Sequence, residues 1–99
     1  MLDMILNQMI YEARHSQSQI SYRKLPNALR IHIQSVENTL ILTIGRDTVY
    51  PSKTEWETIL RAWPYKIKPD PVPTIHHGRL SLQAHIPITT EMQATMKLE

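Results

Sequence analysis

Between residues 2 and 14 the apolar positions recur at spacings of three and four. Leu2, Ile5, Leu6, Met9, Ile10 and Ala13 share one stripe, while Asp3, Asn7, Gln8 and Arg14 lie off it. That period predicts an amphipathic helix over 2–14, packed on a sheet. Met4 and Tyr11 are seven apart on its other side, a small apolar spot suited to a partner or a second subunit. Residues 15–27 are polar and read as a connection, with room for a short extended piece around Ile20, Tyr22 and Leu25.

The period then changes to two. Leu29, Ile31 and Ile33 alternate with Arg30, His32 and Gln34, and Leu40, Leu42 and Ile44 alternate with Thr39, Ile41 and Thr43. Alternation of this kind predicts paired strands, a hairpin over 29–45, with Asn38 as the turn residue able to take positive φ. Gly45-Arg46-Asp47 signals a turn or bulge. Ser52 and Glu55 match a capping box, so a helix is expected over 53–63, carrying Trp56, Ile59, Leu60 and Trp63 on one face and stopped by Pro64.

Pro64, Pro69, Pro71 and Pro73 exclude a central strand or a helix from 64–78, leaving a stiff extended loop or a sheet edge. His76-His77-Gly78 turns the chain into an alternating strand over 79–86. Thr90 with Gln93, and Met92 with Met96, predict a short C-terminal helix. The order implies an α+β two-layer domain over 1–97: a small, mostly antiparallel sheet of about three to four strands, covered on one face by helices. Leu98-Glu99 resembles the scar left before a purification tag and is given no functional weight.

Composition narrows the function classes. The 99 residues contain no Cys, which excludes a disulfide framework, thiolate catalysis and Cys-ligated metal, and fits a reducing cytoplasm. No apolar run approaches the roughly 20 residues of a membrane span. Asp3 stands where a signal peptide would carry positive charge, so the N-terminus is expected to be mature structure. Net charge is only +2, but two stretches are basic: Arg14, Arg23, Lys24 and Arg30, then Arg61, Lys66, Lys68 and Arg79 opposed by Asp70 alone.

Chemistry-bearing residues are few. No nucleophile elbow, P-loop, dinucleotide fingerprint or zinc helix is present, and Glu55 and Glu57 diverge on their helix. His76 and His77, adjacent in an extended segment, should point apart, so a metal site with Asp70 would need a sharp turn at Gly78. No metal or cofactor is therefore expected. Strand phase puts Arg30, His32, Gln34, Arg79, Ser81, Gln83 and His85 on one sheet face, a candidate surface for an anion or nucleic acid, with His32 and His85 as neighbours if their strands are close. Trp56 and Trp63 read as core, although Trp63-Pro64-Tyr65 could leave a ring at the rim.

The leading expectation is a small non-catalytic interaction or adaptor module in the cytoplasm, a homodimer or a subunit of a larger assembly. Its partner surface would comprise Met4, Tyr11, Trp63, Tyr65, Pro69, Pro71 and Pro73. The alternative is weak nucleic-acid or anion binding through Arg30, His32, Gln34, Arg79, Gln83 and His85. A small enzyme with a site assembled from distant residues comes third.

Overall fold

The computed structural model describes residues 1–97, so the Leu98-Glu99 reading lies outside the described residues. The chain runs α1 (Leu2–His15), β1 (Ile20–Lys24), β2 (Arg30–Val36), β3 (Thr39–Arg46), α2 (Lys53–Ala62), β4 (Val72–His76), β5 (Arg79–Pro87) and α3 (Thr90–Lys97). The five strands form one antiparallel sheet in the order β1-β2-β3-β5-β4, within the expected α+β class but with more strands than expected. No described helix is long and apolar enough to cross a membrane.

One sheet face carries the core. Ile31 and Ile33 from β2, Leu40, Leu42 and Ile44 from β3, and Ala84 and Ile86 from β5 are buried there. They pack with Leu6, Met9, Ile10 and Ala13 of α1, Trp56 and Ile59 of α2, and Met92 of α3. The helical stripe read from spacing is thus the buried one. The capping box forms as the sequence implies: Glu55 N–H donates to Ser52 Oγ, and Ser52 N–H donates to Glu55 Oε1. α2 ends at Ala62, and Trp63 is its C-cap. At α3 the capping oxygen belongs to Thr89 rather than Thr90, accepting from Met92 N–H at 3.3 Å.

The extra strand is β1, whose register sets Ser21 opposite Ile33 and Arg23 opposite Ile31, on the core side. Two polar residues in that phase hide a strand from a search for alternating hydrophobics. They are satisfied by Glu12 of α1, which accepts from Ser21 Oγ at 2.7 Å and from Arg23 Nη2 at 2.8 Å. Those bonds, Arg23 first, hold the Glu12 carboxyl below its usual range.

The proline-rich stretch ends in β4, a sheet edge as anticipated. The two-residue turn His77–Gly78 makes His76↔Arg79 a hydrogen-bonded pair, and alternation from there turns Pro73 outward, where no ladder donor is lost. In the β2–β3 turn, Glu37 takes the positive φ of 56°, not Asn38. The first central position of this two-residue turn needs left-handed backbone, and that position is Glu37.

Candidate anion site

The uncovered sheet face holds the side chains that the core leaves over. Across it, Lys24, Arg30, Gly45, Ser81 and Thr74 stand opposite one another, and Tyr22, His32, Thr43, Gln83 and Val72 form the neighbouring row. At Gly45 the first row lacks a side chain. A Cβ built there would overlap Ser81 Oγ, so glycine is required for Ser81 to sit where it does. The gap is the floor of a cavity of about 230 Å³, walled by His32, His76, His77, Arg30 and Arg79, with Tyr22 at its side.

Flat strands would put β2 and β4 about 14 Å apart, three strand spacings. The His32 and His76 rings are nevertheless 4.7 Å apart, centroid to centroid. Coiling of the sheet and two side chains leaning over Gly45 close that distance. His77 is drawn in by the turn: with φ of 51° there and 74° at Gly78, the backbone is that of a type I′ turn. The His76 and His77 rings meet edge to face at 4.2 Å, and His77 lies 6.3 Å from His32. The expectation that adjacent histidines point apart is therefore corrected, because the segment is a tight turn at that point and not an extended strand.

His32 is half-buried and its Nδ1 has no hydrogen-bond partner. Burial, then the nearby His76 and His77, lowers its pKa from the usual 6.5. His76 is lowered as well, by burial, then by His77 and Arg79. Both rings are thus kept neutral at neutral pH. The guanidiniums lie at the same end of the face. Asp47, continuing the phase of β3 past its end, accepts with one oxygen from Arg30 Nη1 at 2.7 Å and from Arg79 Nε at 3.1 Å. The Arg79 bond, followed by the charge of Arg30, holds the Asp47 carboxyl below its usual range. The two basic stretches of the sequence therefore meet at this carboxylate.

Of the residues named for this face, Arg30, His32, Arg79 and Ser81 line the cavity. Gln34, Gln83 and His85 share the face but sit beyond it, and His85 stands opposite Ile41. His32 and His85 are not neighbours, since β3 separates their strands and their register differs by one row. His85 Nε2 instead lies 3.4 Å from Gln83 Oε1, and Gln83 donates to Thr43 Oγ1. Sequence spacing gives no sign of Tyr22, Thr43, Gly45 and Asp47 at the site, and it presents His76 and His77 only as metal candidates. The His77–Gly78 dipeptide is the signal that would have placed them, because a hairpin through it pairs His76 with Arg79. Asp70 does not line the cavity, and among the described residues no three His, Asp or Glu side chains are arranged to hold a metal ion.

The proposed partner residues divide. Met4, Trp63 and Tyr65 line a larger concavity of about 460 Å³ between α1 and the end of α2. Only Met4 is exposed: Trp63 and Tyr65 retain 2% and 4% of their surface and belong to the core, which corrects their placing at the rim. Their rings pack edge to face at 6.4 Å, and burial of so much apolar area outweighs any gain from exposing them. Tyr11 lies elsewhere, against His15. Pro69 is buried, Pro71 half-buried and Pro73 exposed on β4. Comparison with protein-family models, curated proteins and solved structures finds no match, so the site stands on its own geometry.

Proposed function

We propose that this chain is a binding module for a compact oxyanion, held in the cavity between His32, His76, His77, Arg30 and Arg79. The observation that carries this reading is the convergence of three imidazoles and two guanidiniums on one concavity with a single carboxylate in reach. Positive charge gathers at one end of the sheet face, while the other end carries Gln34, Ile41 and His85 and neither Lys nor Arg. A spot of charge suits a small ligand better than a nucleic-acid backbone, which needs a track of cations.

An anion in the cavity stabilises the imidazolium forms, so His32 and His76 take up protons on binding and affinity rises as pH falls below about 6.5. Tyr22, Lys24 and Asp47 are the other titratable groups around the site, and Asp47 stays ionised through that range. The test is an NMR pH titration of the histidine ring protons with and without sulfate at constant ionic strength. Raised midpoints for His32 and His76 support the reading, and superimposable curves end it. Tight binding of single-stranded oligonucleotides with a steep salt dependence would replace the compact ligand by nucleic acid.

A second reading, an interaction module that self-associates, is supported by Met4, 66% exposed at the mouth of the helix-side concavity. Sedimentation equilibrium at micromolar concentrations decides it: an 11.6 kDa monomer throughout removes the homodimer.

A further inference from the structure

We propose that Asp47 is an internal counter-anion that competes with the ligand for Arg30 and Arg79, so that the site takes up a doubly charged oxyanion, of the class of phosphate monoesters and sulfate, and leaves weaker-binding carboxylates unbound. The inference rests on the anion-site reading above and adds the ligand's charge and the residue that selects it. The geometry is that of a ligand mimic. One carboxylate oxygen takes the Nη1–H of Arg30 and the Nε–H of Arg79, the place where an oxygen of a bound oxyanion would sit between two guanidiniums.

The two ends of this contact are held differently. The Arg30 side chain keeps 16% of its surface and Arg79 keeps 36%, whereas Asp47 keeps 65%. Asp47 follows the last residue of β3, and its carboxylate is held by the two arginines alone among the described residues. It can therefore swing into water while the guanidiniums stay at the cavity wall. Each guanidinium also has further N–H donors for a ligand with several oxygens.

The threshold for entry follows from what an incoming ion must displace. Acetate is the chemical equivalent of the Asp47 side chain, but it arrives from solution, whereas Asp47 is tethered beside its partners and competes at high effective concentration. A singly charged carboxylate gains no charge by the exchange. A dianion brings one additional negative charge to two guanidiniums and to rings ready to take up protons. Replacing Asp47 by a neutral residue leaves the two arginines uncompensated, so binding of both kinds of ion improves by a similar factor.

Sulfate and acetate are titrated against the full chain at pH 7 and matched ionic strength, with His32 and His76 ring signals as the readout, for the native chain and for Asp47→Asn and Asp47→Ser. The native chain is expected to bind sulfate and to respond little to acetate. Both variants should bind sulfate, and with it acetate, about five- to tenfold more tightly, as expected for removing one competing charge near a water-exposed pair. Thermal unfolding shows that each variant is folded, and agreement between the two separates the loss of charge from an effect of the amide. If the native chain binds sulfate and both variants bind it no more tightly, Asp47 does not compete with the ligand and the proposal fails alone. If no protein responds to either ion, the anion-site reading falls and takes this one with it.

Discussion

Two of the molecule's hollows invite comparison, and the larger of the two is made of the wrong material. The concavity at the end of α2 is twice the volume of the cavity on the sheet face, yet the rings in its wall, Trp63 and Tyr65, are almost fully buried core residues. The sheet-face cavity is built from side chains that the core does not use. His32, His76, His77, Arg30 and Arg79 point away from the helices, and the floor is a missing side chain at Gly45. Side chains that stabilise nothing by burial, yet are gathered at one point, are better evidence of binding than volume is.

The contrast breaks most visibly at Trp63. Trp63→Ala should cost about 3–5 kcal/mol in urea unfolding, as large-to-small changes in a core do, while sulfate binding at the far face of the folded fraction is unchanged. Trp63→Phe, which removes an N–H that has no partner, should cost much less. A Trp63→Ala loss below about 1 kcal/mol would mean that the ring is at the rim after all. Gly45→Ala is next: overlap with Ser81 should cost about 1–3 kcal/mol and partly fill the cavity, lowering stability and sulfate response together. A variant that keeps full sulfate affinity would show that the ligand does not sit over Gly45.

The third expected effect depends on pH. His32 and His76 have lowered pKa values in the fold, so as pH falls the unfolded chain binds protons first. The stability tied to their neutral forms is complete above about 6.5 and is lost as pH falls from there toward the folded values. Urea midpoints should therefore decline between pH 7 and pH 5, less steeply in His32→Gln and His76→Gln, and sulfate should offset the decline. Equal slopes in all three proteins would detach these rings from the effect. The smallest change in stability is expected for His77→Asn. Asparagine before Gly78 suits a type I′ turn at least as well, so unfolding should shift by less than about 0.5 kcal/mol while sulfate binding weakens. Unchanged binding would return His77 to the role of a turn residue.

Legibility in the sequence followed the same division. Elements that bury apolar stripes, α1, β2, β3, α2 and β5, could be read from spacing because their period is their reason for folding. β1 could not, since Ser21 and Arg23 occupy its core-facing positions and only Glu12, on another element, makes that tolerable. The site was half legible. Strand phase put Arg30, His32 and Arg79 on one face, but the join between them depends on strand order, on the coil of the sheet and on backbone sign at His77, none of which a periodic pattern encodes. Glu37 makes the same point on a small scale: turn geometry chose the position for positive φ, and residue preference, which favoured Asn38, had no say.

The pairing of β3 with β5 has a consequence for how the chain acquires its shape. β1, β2 and β3 follow one another through short loops, and β4 and β5 form a hairpin, so both pieces assemble from contacts near in sequence. Joining them sets Arg46 opposite Leu80 and requires closure of a loop of roughly thirty residues, the slower kind of step because its entropy is lost before any pairing is gained. Gly45 and Ser81 lie on that seam, with His32 and Arg30 on one piece and His76, His77 and Arg79 on the other. The cavity exists only where the two pieces are joined, and an ion bound there would act as a clasp across them, slowing their separation.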